Sequence, residues 1–319
     1  MEFDFVIVGA GSAGCALANR LSESGKHTVA LVEAGGRDTS PWIHIPVGYF
    51  KTMNHPQIDW QYKTEPDPGL NGRSINWPRG RVLGGSSSIN GLLYVRGQAR
   101  DYDHWRQLGL TGWSWDDVLP YFRKSEDHYE LKDDLHGQGG PIRVEEQRLS
   151  WKVLDAFRDA CADVGIPKIQ DFNKGDNLGA SYFQVTQKAG VRWSAAKGFL
   201  KPAMSRPNLQ VLTEAHASRF VIENGRATGL ELTVKGEAAK VSVAGEFVLS
   251  AGSVGSPQLL ELSGMSRTQL SLAYLAGTLI SGLLLPCMGT LLDRWGARII
   301  VTFAAMGLGA TLLINSMVF

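Results

Sequence analysis

Three glycines near the start of the chain have the spacing of a phosphate-binding turn. The apolar run FVIVGAGSAG, residues 5–14, contains Gly9-x-Gly11-x-x-Gly14, and the stretch CALANRLSES that follows has apolar residues at helical spacing. A second apolar run ends at Glu33, 19 residues after Gly14. The sequence therefore predicts a strand, a helix and a second strand within about 30 residues, the setting in which this glycine pattern binds a dinucleotide.

Each of these residues has a physical role in holding a pyrophosphate and a ribose. Gly9 permits a tight turn, Gly11 lets the backbone approach the phosphates, and Gly14 lets the helix pack against the strand. The helix N-terminus offers free N–H groups and the positive end of its dipole. The Glu33 carboxylate can accept hydrogen bonds from ribose hydroxyls and disfavours a 2′-phosphate. A glycine-rich turn that binds no ligand is the alternative, and it leaves the helix, second strand and acid without a common explanation.

Composition indicates a globular protein and gives no sign of a nucleic-acid partner. The 319 residues carry a net charge of +1, and no run of Lys and Arg with interleaved aromatic residues occurs. The three cysteines, Cys15, Cys161 and Cys287, are far apart, so we expect a reducing compartment and no metal site. Acidic residues near the N-terminus predict that no signal peptide is present.

Two later segments carry a resemblance to a known family. They are NWPRGRVLGGSSSINGLLYVRGQARDYDHW, residues 76–105, and GEFVLSAGSVGSPQLLELSGM, residues 245–265. Together with the opening unit, they resemble the glucose-methanol-choline (GMC) oxidoreductases, which are FAD-dependent alcohol dehydrogenases and oxidases, over residues 1–265. HIPVGYF, residues 44–50, and TEPDPGLNGR, residues 64–73, are most similar to the choline dehydrogenase-like branch.

The resemblance implies both a fold and a reaction. The expected fold is α/β, with a Rossmann-like FAD-binding domain formed by residues 1–140 and 206–265, and part of an α+β substrate domain formed by residues 141–205. The implied reaction transfers a hydride from the CH–OH group of a small alcohol to FAD. A quinone or another respiratory-chain component is the candidate electron acceptor.

The resemblance also places individual residues around the cofactor. Val82 is expected against the flavin, residues 90–93 along its reactive edge, and the Ala217 backbone beside the adenine. Ile89 stands where some relatives carry a histidine bonded to the flavin, so non-covalent FAD is expected. With the small residues that permit close backbone approach, the predicted cofactor-binding set is Gly9, Gly11, Ser12, Ala13, Gly14, Glu33, Ala34, Val82, Gly84, Gly85, Asn90, Gly91, Leu92, Leu93 and Ala217.

The catalytic part of the family pattern is absent from the sequence. Alcohol oxidation needs a base that takes the hydroxyl proton, and in this family it is a histidine from the C-terminal third, paired with a second histidine or an asparagine. His44 lies in a segment expected near the active site, yet none of the histidines stands in the family context. We therefore predict no catalytic residue among His27, His44, His55, His104, His128, His136 and His216.

Similarity to the family ends near Met265, where a hydrophobic region begins. Residues 270–288 and 299–319 are uncharged stretches of 19 and 21 residues, and a helix of that length spans a bilayer core of roughly 30 Å. The intervening GTLLDRWGAR, residues 289–298, resembles a loop of the major facilitator superfamily. We expect residues 266–319 to form a two-helix transmembrane hairpin, a transporter-like fragment in contact with lipid. Two buried core helices are the alternative.

The sequence is compatible with two functions. The chain is either an alcohol dehydrogenase-type flavoenzyme, truncated, fused and poorly active alone, or a membrane-anchored FAD-binding or interaction module without catalysis. A gene rearrangement or sequence error at the junction is a third explanation. We expect a membrane-associated protein with the flavin domain on the cytoplasmic side, because a large domain without an export signal is not readily translocated. Arg294 and Arg298, which favour a cytoplasmic hairpin loop, oppose that orientation.

Overall fold

The computed structural model of this protein describes residues 2–264, and the predicted hairpin of residues 266–319 lies outside them. Within the described part, no helix is both long and apolar enough to cross a membrane. The strands are β1 (Glu2–Val8), β2 (Val29–Val32), β3 (Tyr62–Lys63), β4 (Asn76–Trp77), β5 (Glu126–His128), β6 (Ile142–Glu146), β7 (Gln184–Val185), β8 (Gln187–Lys188), β9 (Val191–Arg192), β10 (Leu209–Leu212), β11 (Ala215–Glu223), β12 (Arg226–Val234) and β13 (Glu237–Leu249). The α-helices are α1 (Ser12–Ser22), α2 (Pro41–His44), α3 (Tyr49–Thr52), α4 (Ala99–Gln107), α5 (Trp115–Ser125), α6 (Lys152–Asp163), α7 (Lys201–Ala203) and α8 (Gly252–Leu262).

The largest sheet has six strands in the order β10-β2-β1-β13-β12-β11. The first four strands run parallel, and β11, β12 and β13 form an antiparallel meander. Val6 in the middle of β1 lies opposite Ala30 of β2 and Phe247 of β13. The N-terminal strand is thus held between elements that are more than 200 residues apart in sequence.

Both faces of this sheet are covered, which explains the nearly continuous apolar sequence of its central strands. Ile7 and Leu31 point into one core with Cys15 and Ala18 of α1. Residues of alternate register, including Val6, point into a second core that contains Leu259 of α8 and other side chains of the meander. The predicted β-α-β unit is confirmed as β1-α1-β2.

A smaller layer is built from short strands and from helices α4 to α6. The strands β5, β6 and β7 form one sheet, and β8 pairs with β9. Helix α6 leaves apolar side chains exposed: Trp151 at its N-cap by 62%, Val153 by 65% and Phe157 by 64%. The predicted domain boundaries at residues 140 and 206 stay predictions.

A buried chain of ion pairs joins the segment after residue 93 to this layer. Arg96 Nη2 lies 2.8 Å from Glu126 Oε1, Glu126 Oε2 lies 3.2 Å from His136 Nδ1, and His136 Nε2 lies 2.8 Å from Asp171 Oδ2. Burial disfavours the charged imidazole, but the hydrogen bonds to Asp171 and Glu126 outweigh it and raise the pKa of His136 to about 9. His136 is therefore a protonated structural residue at neutral pH.

Candidate cofactor-binding site

A cleft of about 630 Å³ opens where β1 and β2 end. Ligands of open α/β sheets bind at this carboxyl edge, and the volume is within the range of roughly 300–1,000 Å³ typical of small-molecule sites. The N-termini of α1 and α8 both reach its wall, so two helix dipoles present their positive ends to it. The predicted residues that line it are Gly9, Gly11, Ser12, Ala13, Glu33, Ala34, Gly85 and Ala217.

The three glycines of the first turn have different structural roles. Gly9 has φ +102°, and a Cβ there would lie 2.6 Å from Ser250 O. A Cβ on Gly14 would lie 1.9 Å from Gly9 O, so this position fixes the approach of α1 to the turn. A Cβ on Gly11 would meet no protein atom within 4 Å. Gly11 therefore exposes bare backbone to the cleft, which fits a bound pyrophosphate.

Glu33 is a buried carboxylate held at the wall of the same cleft. Its Oε2 accepts a hydrogen bond from Ala10 N at 2.8 Å, and its Oε1 accepts one from Gly35 N at 2.9 Å. Burial raises the pKa of Glu33 to about 7, and these two backbone N–H groups partly offset that rise. Each carboxylate oxygen can accept a further hydrogen bond, and Glu33 lines the cleft, as binding of ribose hydroxyls requires.

The loop at residues 82–85 is seated on the glycine turn. Gly84 N donates to Ala10 O at 2.8 Å, and a Cβ on Gly85 would lie 2.7 Å from Gly11 Cα. The absence of side chains at residues 84 and 85 thus allows two backbones to touch beside the cleft. Val82 is fully buried in a small apolar cluster and does not line the cleft, so its contact with a flavin stays a prediction.

The turn at residues 90–93 lies beside the cleft wall and does not form part of it. Asn90 and Gly91 are exposed, Leu93 is 57% exposed, and Leu92 is buried with φ +65°. Thr186 N donates to Leu92 O at 2.8 Å, which ties the turn to the segment between β7 and β8. Apart from the buried Val82, the predicted residues therefore fall into two groups, one around a dinucleotide cleft and one on a neighbouring turn.

The structure adds cleft residues that sequence reasoning missed. The rings of Trp60 and Tyr62 stack with centroids 5.9 Å apart, and the His216 ring lies 5.8 Å from that of Trp60. These three side chains and Arg79 line the cleft. Large aromatic residues are most often core residues, so neither their type nor their spacing gave a specific signal.

His44, the histidine nearest to the expected active site, lies outside the cleft wall. Its Nε2 is hydrogen-bonded to Asp38 O at 2.8 Å, and its Nδ1 is buried without a hydrogen-bond partner. Burial, followed by the charge of Lys197, lowers the pKa of the ring. The imidazole is therefore neutral at physiological pH, with one nitrogen already engaged by the backbone.

The fold and the cleft together define a dinucleotide-binding α/β domain, and comparison with known proteins specifies it further. The profile of the family described as GMC oxidoreductase matches residues 3–318. The chain is 44% identical over 269 residues to an oxygen-dependent choline dehydrogenase of Rhizobium rhizogenes, covering 84% of this chain and 49% of that protein. The chain belongs to the GMC oxidoreductase family.

Solved structures agree with this membership. Pyridoxine 4-oxidase from Mesorbium loti superposes with a TM-score of 0.79 at 37% identity, over 82% of this chain and 52% of that one. A formate oxidase from Aspergillus oryzae, studied for FAD modification, superposes with a TM-score of 0.74 at 32% identity, over 83% and 48% of the two chains. The prediction of FAD as the cofactor is confirmed by the family and by these neighbours.

The alignments with the relatives cover only part of those proteins. The chain spans about half the length of the curated relatives it matches, 49% in the first and 48% in the second. The alignments with these two relatives cover 269 and 265 residues, whereas the family profile continues to residue 318, past the predicted junction.

Proposed function

We propose that this chain forms the flavin-binding part of an FAD-dependent oxidoreductase of choline or alcohol dehydrogenase type. The observation that carries the proposal is the cleft itself. The open backbone of Gly11, two helix N-termini and the Glu33 carboxylate meet there, and the loop at residues 82–85 packs directly on the glycine turn. The 44% identity to an oxygen-dependent choline dehydrogenase supports a small alcohol as the substrate class.

The residues of this chain would bind and orient the cofactor. The N–H groups at the start of α1 and α8 would hold the pyrophosphate, and Glu33 would accept from the ribose. The turn at residues 90–93 would lie along the flavin ring. When bound, FAD accepts the hydride that leaves the alcohol carbon. Ile89 is an apolar, buried side chain, 3% exposed, which supports non-covalent binding.

We propose that the catalytic base comes from a protein segment other than residues 2–264. His44 is bonded to the backbone outside the cleft, and His216 lies among the aromatic residues of the cleft wall. The exposed apolar side chains of α6, including Val153 and Phe157, support a further segment that covers this layer. A chain without that segment would bind FAD and turn over alcohol poorly.

A stopped-flow experiment with the purified full chain tests this proposal. We expect stoichiometric FAD uptake, followed by slow or undetectable bleaching of the flavin absorbance when choline or a primary alcohol is added. Adding a separately expressed C-terminal half of a choline dehydrogenase relative should accelerate bleaching. Preference for NADPH over FAD would refute the cofactor site, and fast bleaching by the chain alone would refute the missing base.

The alternative function, a membrane-anchored FAD-binding module without catalysis, is favoured by the two uncharged stretches 270–288 and 299–319. We propose a transporter-like hairpin there, with the flavin domain in the cytoplasm and a quinone as a candidate acceptor. Resistance of the chain to carbonate extraction, and cleavage of the flavin domain only in inverted vesicles, are the expected results. Cleavage only from the outer face would reverse the proposed orientation.

Sequencing independent clones across codons 260–270 tests whether the junction is genuine.

A further inference from the structure

Arg192, at the end of β9, is a fully buried arginine whose charge is neutralised by no acid in the described part of the chain. Its guanidinium donates four hydrogen bonds, all to neutral oxygens. Nε donates to Ile43 O at 2.7 Å, Nη1 donates to Ser87 O at 3.2 Å and to Asn90 Oδ1 at 2.7 Å, and Nη2 donates to Asn90 O at 2.6 Å. The side chain therefore connects α2 with the loop that carries Asn90.

An unpaired buried cation is expensive for a protein to keep. The nearest charged neighbour on the same segment does not relieve the cost, because Lys197 Nζ donates to Arg192 O at 3.1 Å and carries the same sign. Only a planar fork of donors could satisfy this set of carbonyl and amide oxygens at once. Arg192 thus fixes the positions of the four oxygens to which it donates, and its positive charge remains available to attract a ligand.

The contact with Asn90 determines how that amide is oriented. Asn90 Oδ1 accepts both from Arg192 Nη1 and, at 3.1 Å, from Leu92 N. Two donors face that position, so the oxygen must occupy it and the Nδ2 group must lie on the other branch of the amide. Asn90 is exposed, and its Nδ2 makes no hydrogen bond within residues 2–264. The two Nδ2 protons are therefore free to donate to a bound molecule.

We infer that Arg192 is a positioning residue for the flavin: it orients the Asn90 amide as a hydrogen-bond donor toward an acceptor atom on the edge of the flavin ring, and it places an unneutralised positive charge beneath the turn at residues 90–93. This inference rests on the proposed function, since it requires FAD to bind beside that turn.

Four substitutions in the full-length chain separate the parts of this arrangement. Asn90→Asp keeps an oxygen that accepts from Arg192 and removes the Nδ2 donor, while Asn90→Ala removes both. Arg192→Lys keeps the charge without the fork, and Arg192→Met removes both. Arg219→Met is the matched control, because Arg219 is an exposed arginine that pairs with Glu231 on the meander.

FAD affinity, measured by quenching of flavin fluorescence, should fall about tenfold in each of the four variants and stay unchanged in the control. The double variant Asn90→Ala/Arg192→Met should bind no more weakly than the weaker single variant, because both substitutions remove one shared contact. The reduction potential of the bound flavin should become more negative in Arg192→Met and stay near the wild-type value in Arg192→Lys. A purely structural role would not separate these two variants.

Asn90→Asp keeps the inference testable if the arginine variants do not fold, because an aspartate strengthens the pairing with Arg192. We expect it to unfold at or above the wild-type temperature without FAD, yet to bind FAD about tenfold more weakly. Wild-type affinity in Asn90→Asp, strictly additive effects in the double variant, or an unchanged potential in Arg192→Met would each overturn the inference while leaving the proposed function intact. Failure of the wild-type chain to bind FAD would refute the proposed function, and the inference with it.

Discussion

Replacing Glu33 with glutamine tests whether this carboxylate is kept for binding at the expense of stability. Glu33 is 6% exposed and accepts hydrogen bonds from the backbone N–H groups of Ala10 and Gly35. Glutamine offers one acceptor oxygen to these two donors, so one buried N–H loses its partner at a cost of about 1–3 kcal/mol. The same substitution removes a charge that burial makes unfavourable.

The sign of the pH dependence follows from the direction of the pKa shift. Burial raises the pKa of Glu33 from 4.5 to about 7 in the folded protein. The folded state therefore favours the protonated acid, and the ionised form destabilises it increasingly as pH rises from about 4.5 to about 7. A shift of this size corresponds to roughly 3 kcal/mol above pH 7. The difference in free energy of unfolding between Glu33→Gln and wild type should therefore shift in favour of the variant by roughly 3 kcal/mol between pH 4.5 and pH 8.

Urea unfolding of the FAD-free chain in a mild non-ionic detergent, repeated at several pH values, measures this change. FAD titrations at pH 8 should show the opposite effect, a loss of about 1.5–3 kcal/mol in binding free energy. The control is Glu23→Gln, because Glu23 is the C-cap of α1 in the same β-α-β unit, with its side chain 57% exposed and paired to Arg20. A pH-independent stability difference in Glu33→Gln, or unchanged FAD affinity, would refute this account of the site.

Three further predictions concern the glycine turn, the buried ion pairs and catalysis. Gly14→Ala should prevent stable folding, because its Cβ would lie 1.9 Å from a backbone oxygen. Gly11→Ala should leave the melting temperature of the FAD-free chain unchanged and weaken FAD binding at least tenfold. Stability should be lost as pH rises from 6.5 through about 9, where His136 deprotonates, and also in acid, as pH falls through the lowered pKa values of Glu126 and Asp171. His136→Gln should unfold about 3–5 kcal/mol more easily at pH 6 and lose the alkaline part of this dependence in urea titrations. Choline-dependent flavin reduction by the FAD-loaded chain alone should be slower than in a complete relative by at least ~10²-fold in stopped-flow assays. Rates within a few-fold of that relative would contradict the prediction.

The first nucleotide-binding unit could be predicted from sequence because its determinants are local. The strand, turn and helix of residues 2–22 follow from apolar periodicity and from glycines that permit conformations closed to other residues. Glu33 directly follows the next strand of the same unit, so its place at the cleft follows from the distance along the chain. The contact of Gly14 with the Gly9 carbonyl is the close packing that the spacing implies.

The tertiary structure alone decided which distant residues meet around this unit. Arg192 reaches Asn90 across 102 residues, and His136 pairs with Asp171 across 35. Neither residue differs in type or spacing from an ordinary surface arginine or core histidine, since a buried charge is recognised only by the partners that surround it. Trp60 likewise becomes a cleft residue because the start of β11 brings His216 beside it. Periodicity in a sequence predicts which face of an element is buried, whereas the partners across that face depend on how the whole chain packs.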